Sequence, residues 1–443
     1  MLAAFAVFAL PARHARANGA FPAVSQLLGD PADPAHLVLR SNFGLLISHD
    51  RGSNWDVVCE AGLGYQNIEP AIAVLANGTT IAALPNGIAR GATECSFELG
   101  AGMTSYVADV ARMPGMNAAA AVAVGVDIEA GVSTVWRSLD AGKSWSQLGN
   151  ALEELSATTL DVASDARNTL YVSGVSQSDT VKGVLARSVD GGQTWTRSEV
   201  PGGTKLSAPY IAAIASEAPN TVYVRLSGTP GKLLASRDGG KTWLRLLDFA
   251  GPLDGFALSP DGRYALASGR VDGVWRADTA NLEFERLSCS KVRCLSWTDA
   301  GLFACADEFQ AGFLVGESSD SGLSFEPRLH LSCVRGPLAC DSASPVAQAC
   351  DASWPALSEA LGSDCANAGF TPRSDCSVGG NSNGGGSASA GAGSIMSKPG
   401  SRAALRASGG CALSSARAVR WLDVSALISA ALGLARRRAS RAK

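Results

Sequence analysis

Short apolar runs, each ending in Ser, alternate along this chain with Asp/Gly clusters that lead into a second run headed by an aromatic ring. GLLIS (44–48), TVWRS (134–138), GVLARS (183–188) and LLAS (233–236) come before the clusters. WDVV (55–58), WSQL (145–148), WTRSEV (195–200) and WLRLL (243–247) follow them. Runs this short, rich in β-branched and aromatic residues and flanking a turn cluster, predict β-hairpins. The connecting segments share the form Ser-x-Asp-x-Gly-x-x-Trp: SHDRGSNW (48–55), SLDAGKSW (138–145), SVDGGQTW (188–195) and SRDGGKTW (236–243). A fifth, SSDSGLSF (318–325), ends in Phe. Each residue type has a task in the turn. The carboxylate accepts backbone N–H groups further along the loop. Gly takes the positive φ that a side chain resists, and the ring buries a large apolar surface in the next strand.

The clear copies begin at 48, 138, 188, 236 and 318, so two of the intervals are nearly double the others. Weaker copies fill the long intervals, at 88–97 (IARGATECSF) and 275–284 (WRADTANLEF), each ending in Phe. A second phrase precedes the motif: DARNTLYVSG (165–174) and EAPNTVYVRLSG (217–228), with weaker forms at 259–269 and 33–41. Repetition at this period means stacked or radial units. Each unit reads as four short strands, with the second phrase turning into the second strand. The fold expected is an all-β propeller of about seven four-stranded blades, with six or eight open.

The motif resembles the Asp-box, or bacterial neuraminidase repeat, of sialidases, sortilin-type receptors, xyloglucanases and photosystem assembly factors. The resemblance covers roughly residues 20–332. It implies a structural turn between the third and fourth strands of a blade, away from the catalytic face. By that resemblance the residues of the boxes hold turns: Ser48, Asp50, Gly52 and Trp55; Ser138, Asp140, Gly142 and Trp145; Ser188, Asp190, Gly192 and Trp195; Ser236, Asp238, Gly240 and Trp243; Ser318, Asp320, Gly322 and Phe325.

Composition adds the compartment. The 443 residues carry a net charge of −3 with no basic stripe in the repeats, which argues against nucleic acid as a partner. Residues 2–10 are apolar and lead to Ala15-Arg16-Ala17, so residues 1–17 are expected to be a secretory signal peptide, although the usual basic start is missing. The propeller then occupies 18–332. Eleven cysteines behind such a signal predict disulfides. Cys59 and Cys95 end strands in neighbouring units and are expected to pair. Residues 333–376 hold five cysteines and no box, which predicts a small disulfide-stapled appendage. Zinc is the rival, but His36, His49 and His330 stand at no ligand spacing from the cysteines. No metal or cofactor is expected.

Residues 377–410 are rich in Gly, Ser and Ala and predict a flexible linker. Residues 411–443 contain Cys411, an apolar stretch (418–435) and the Arg436-Arg437-Arg438 cluster. This arrangement resembles the C-terminal surface-sorting tail of myxobacteria-type proteins. The resemblance implies processing near Cys411, with that residue carrying a lipid. Arg420 and Asp423 interrupt the apolar stretch, so a permanent single-pass helix or an amphipathic tail are alternatives.

Catalytic signatures are sparse. GKS (142–144) and GKT (240–242) imitate a phosphate loop, but Arg137 and Ala235 stand where it needs Gly. The G-x-S-x-G string at 380–384 lies in the linker and lacks the strand-turn-helix of a nucleophile elbow. The Arg-Ile-Pro hallmark of sialidases is missing, and Tyr171 and Tyr223 fall in the repeated strand phrase, where core packing explains them. A xyloglucanase resemblance fails on length, because those enzymes use two propellers. Glu69 and Asp109 lie between strands and are the carboxylates placed to face a central cleft; solvated loop carboxylates are the plainer reading. The function expected is therefore an exported, surface-anchored, monomeric propeller that binds a protein or glycan through its loop face without catalysis. The alternative is a sialidase-like exported glycoside hydrolase. A third possibility is an assembly factor for a periplasmic complex.

Overall fold

The structure, a computed structural model, describes residues 22–164, 169–362 and 364–366. The signal segment, the linker, the tail with Cys411, and Cys376 lie outside the described residues.

Seven four-stranded sheets stand in a ring, each built from four strands consecutive in the chain and antiparallel to their neighbours. The innermost strands are Val24–Gly29, Ile72–Val74, Tyr106–Arg112, Leu155–Val162, Pro209–Ile214, Gly255–Leu258 and Val292–Thr298. The seven-unit count and the four-strand unit both hold. The second phrase turns into the second strand as expected, at Leu37–Ser41, Val222–Leu226 and Tyr264–Gly269. The weaker copies also fall between third and fourth strands, across Gly87–Thr93 with Ser96–Leu99 and across Gly273–Asp278 with Glu285–Ser288.

The core lies between blades. Val122, Val124 and Val135 of blade 3 pack with Leu160, Leu170 and Val172 of blade 4. Tyr171 of blade 4 packs with Val222 and Val224 of blade 5, and Tyr223 is buried in the same way. The ring closes where Leu27, Leu39 and Trp55 of blade 1 meet Phe303 and Val315 of blade 7. Burial of such faces is the main favourable term for a fold whose strands are too short to stand alone.

The five clear turns share one hydrogen-bond pattern. The serine hydroxyl donates to the Asp Oδ1 at 2.7–2.9 Å. It accepts the Gly N–H at 2.8–2.9 Å. The same Oδ1 accepts the backbone N–H four residues on, at 2.8–2.9 Å. The indoles of Trp55, Trp145 and Trp195 donate back to the Gly carbonyl at 2.9–3.2 Å. The glycines sit at φ from 79° to 95°, where a side chain would be strained. Ser138 is buried, so Ser138→Ala orphans the Gly142 N–H and is expected to cost about 1–2 kcal/mol. Urea unfolding checks this; a change within error would assign the turn's stability to the ring alone.

The chain does not stop at blade 7. After the turn Leu331–Cys333 it runs along the outer strand of blade 1 as a fifth partner. Arg335 N donates to Trp55 O (3.0 Å), Val57 N to Gly336 O (2.8 Å) and Leu338 N to Val57 O (2.9 Å). Arg335 also pairs with Asp56, its Nε at 3.0 Å from Oδ1. A helix, Pro345–Leu361, follows, started by the Ser344 cap on Ala347 N and by Pro at its first position. Val346 and Cys350 enter the cluster formed by Leu63, Val58 and Ile72 of blades 1 and 2.

The expected pairing of Cys59 with Cys95 is corrected here. Cys59 bonds Cys350 and Cys95 bonds Cys340. The physical reason is the intervening segment: it lies against blades 1 and 2 and offers each cysteine its own partner. Two further bridges are Cys294–Cys305 within blade 7 and Cys333–Cys365 within the final segment, and Cys289 is disulfide-bonded as well. Among the described residues no helix is long and apolar enough to cross a membrane.

Candidate functional site

Five innermost strands carry a register shift, beside Ser25, Ala108, Thr158, Ala212 and Arg293. Such bulges kink a strand and re-aim its side chains, here around the central channel. The channel encloses a cavity of about 570 Å³ walled by all of these strands. Asp109 and Asp161 project into it from blades 3 and 4, with Arg112, Trp297, Pro31 and Pro114 nearby.

The two aspartates are offset along their strands. Ala121 and Leu170 are equivalent, since each pairs with the serine of its own box, Ser138 or Ser188. Their inner-strand partners are Arg112 and Val162. Asp109 therefore lies level with Thr159, and Asp161 lies two residues further along on the same side.

Asp109 Oδ1 accepts Val110 N and Oδ2 accepts Leu160 N, both at 2.9 Å. Burial pushes its carboxyl up to about 7, and the nearby charge of Asp161 adds to the rise, against these hydrogen bonds and the pull of Arg40. Burial likewise lifts Asp161 to about 6, opposed by its bond from Val162 N (2.8 Å) and by Arg112. Two neighbouring carboxyls held near neutrality can divide acid and base roles. The box aspartates cannot. The Thr194 hydroxyl and N–H, with Ser188, hold Asp190 at about 2, and Thr242 with Ser236 does the same for Asp238.

The raised value of Asp109 has a thermodynamic sign. A folded pKa above the unfolded one gives stability that is fully present below about pH 4 and is lost as pH rises through about 7. Asp109→Asn is therefore expected to stabilise at pH 8, by on the order of 1–2 kcal/mol, and to do nothing at pH 4. Melting temperatures of both proteins across that range check it. A pH-independent difference would contradict the assignment.

Of the two carboxylates placed by sequence at a central cleft, Asp109 is there. Glu69 instead accepts Ser25 Oγ at 2.7 Å and lines a separate cavity with Asn42, Arg293 and Asp307. Arg40 and Arg225, equivalent positions on second strands, tie blades together: Nη1 of each donates to the carbonyl of Pro70 (3.0 Å) or Leu253 (3.3 Å) just before the next blade. Asp161 was not singled out by sequence. The signal available was the recurring phrase Asp-Val-Ala, at 109–111 and 161–163, a charged residue inside an apolar strand.

No protein-family model and no curated protein sequence matches this chain. Solved structures do. An ancestral GH74 enzyme aligns over 70% of this chain and 47% of its own, at 16% identity and a TM-score of 0.54. The GH74 xyloglucanase from Xanthomonas campestris aligns over 65% of this chain and 51% of its own, at 16% identity and a TM-score of 0.44. Hydrazine synthase from Kuenenia stuttgartiensis aligns over 60% and 79%, at 11% identity and a TM-score of 0.47. The likeness is one of fold, and this chain spans about half the length of the GH74 enzymes. The expectation of a non-catalytic binding propeller is corrected on this likeness, which favours a glycoside hydrolase and bears on neither the sialidase type nor export. Glycoside hydrolases stand among the structures built this way, and the channel holds two ionisable carboxyls where no converging pair was visible in the sequence.

Proposed function

We propose that this chain is a glycoside hydrolase that works through Asp109 and Asp161 in its central channel. The observation that carries the reading is this pair of neighbouring channel carboxyls, raised by burial to about 7 and about 6. Glycoside hydrolysis needs one carboxyl to protonate the leaving oxygen and another, ionised, to activate water or attack the sugar. Asp109 keeps its proton longer and is the general acid. Asp161 ionises first, aided by Arg112, and is the base or nucleophile. Trp297 offers an apolar face against which a sugar ring can stack. Polymeric glycans are the substrates to try first.

The test is release of reducing ends from xyloglucan and other β-glucans by the full chain, beside Asp161→Asn. Turnover lost in the variant supports the reading. Equal rates in both, or none in either across the panel, would sink it.

The Asp-box relationship, export through residues 1–17 and surface anchoring through 411–443 form part of the same proposal, as does a monomeric propeller. The disulfides suit an oxidising compartment. Protease shaving of intact cells, followed by detection of the propeller, tests the placement; protection until lysis would refute it.

A further inference from the structure

On the face that carries the turns, blades 1 and 2 bring together four side chains that no step above uses. Asp30 follows the first strand of blade 1, His36 precedes its second, His49 sits inside the first turn motif, and Glu94 lies in the turn between the last two strands of blade 2. His36 Nε2 lies 2.7 Å from Glu94 Oε1, and His49 Nε2 lies 2.9 Å from Glu94 Oε2. The imidazoles stack with centroids 4.9 Å apart and 15° between planes. One ligand atom from each of His36, His49 and Glu94 fits within a span of 4.8 Å.

From this the geometry points to a zinc site formed by His36, His49 and Glu94, with Asp30 orienting His36 from behind. Two imidazole nitrogens and a carboxylate form a donor set suited to this ion, leaving a fourth position open. The Asp30 carboxylate lies 3.1 Å from His36 Nδ1. It claims the Nδ1 proton and turns Nε2 toward Glu94, the carboxylate–histidine arrangement that supports metal-bound imidazoles. The independent sign of a missing partner is at Nε2 itself. His36 Nε2 and Glu94 Oε1 are shut from solvent, and despite their closeness no aligned hydrogen bond joins them or satisfies either atom. A lone pair on neutral Nε2 facing a carboxylate oxygen is repulsive; a proton on Nε2, or a cation in that proton's place, removes the conflict. Two carboxylates and two neutral imidazoles balance the charge of a divalent ion.

The frame is rigid. Asp30 N donates to His36 O and His36 N to Asp33 O, both at 3.0 Å. Asp30 also accepts Ala32 N at 2.8 Å, and Glu94 is fixed by its neighbour's bridge, Cys95–Cys340. Ligands around tetrahedral zinc stand about 3.3 Å apart, so the Glu94 carboxylate has to withdraw from His36 by about half an ångström. The widest pair of ligand atoms, now within 4.8 Å, has to close by up to about 1.5 Å, a movement that falls to the exposed His49. The ion would join two blades.

Untagged full chain, stripped with chelator and dialysed, is titrated with zinc by calorimetry, and its melting temperature is followed with zinc, magnesium and calcium. The expected result is one zinc per chain at micromolar affinity or tighter and a zinc-specific rise in melting temperature. His49 is the most exposed of the four, so His49→Ala keeps the fold and is expected to weaken zinc at least ten-fold; Glu94→Gln does the same. No uptake by the wild-type chain, or uptake unchanged in both variants, would overturn the assignment. The result is independent of sugar hydrolysis, which neither variant touches.

Discussion

If the proposed mechanism holds, Asp161→Asn is expected to lower kcat by about 10³-fold and Asp109→Asn by about 10²- to 10³-fold, with little change in KM. Both substitutions keep the shape of the side chain; Asp161→Asn keeps an oxygen for Val162 N–H, while Asp109→Asn keeps an acceptor for only one of Val110 N–H and Leu160 N–H. What they remove is the ability to gain or lose a proton. The pH profile separates the two roles. Activity rises as Asp161 ionises near pH 6 and falls as Asp109 ionises near pH 7, giving a narrow bell between them. In Asp161→Asn the neighbouring charge that raises Asp109 is gone, so the falling limb of any residual activity moves to lower pH. A profile that is flat from pH 5 to 8, or variants with wild-type kcat, would remove the pair from the chemistry.

The second large effect is on stability. Cys340→Ser with Cys350→Ser is expected to lower the melting temperature by about 10 °C. The bridges span 291 and 245 residues, so each confines a long stretch of the unfolded chain. Chain-entropy reasoning assigns about 5 kcal/mol to the first such closure and less to the second, because the two loops overlap almost completely. Either single variant therefore loses much less than the pair. Reducing agent is expected to lower the melting temperature at least as far, because it opens the remaining bridges as well. A double variant that melts with the wild type would show that strand pairing and helix packing at blade 1 suffice without the bridges.

Much of this architecture was legible because each turn carries its own complete instruction. Ser48, Asp50, Gly52 and Trp55 hold one another within eight residues, so the pattern survives without reference to the rest of the chain. The channel pair was legible only in part. Asp109 and Asp161 belong to different blades, and only ring geometry and the bulges beside Ala108 and Thr158 bring them to one channel wall. The cysteines failed for a related reason. Cys59 and Cys95 have suitable spacing for neighbours, but a segment that arrives after six further blades lies against both. The histidines were compared with cysteines, while their partner was the glutamate of an adjacent turn.

The bridges to Cys340 and Cys350 act as a ruler. No strand is borrowed between blades, so duplicating or deleting one repeat would leave every sheet complete, and gene-level changes of blade number would meet no obstacle inside the repeats. The returning segment is different. Trp55 and Val57 meet residues 335–338 only a few positions beyond the last strand, Glu326–Leu329, a reach that fits a ring of seven. An inserted eighth repeat would shift the angle at which blade 7 meets blade 1 and strain both bridges. Repeat number, free to drift in the propeller itself, is thus fixed from outside it.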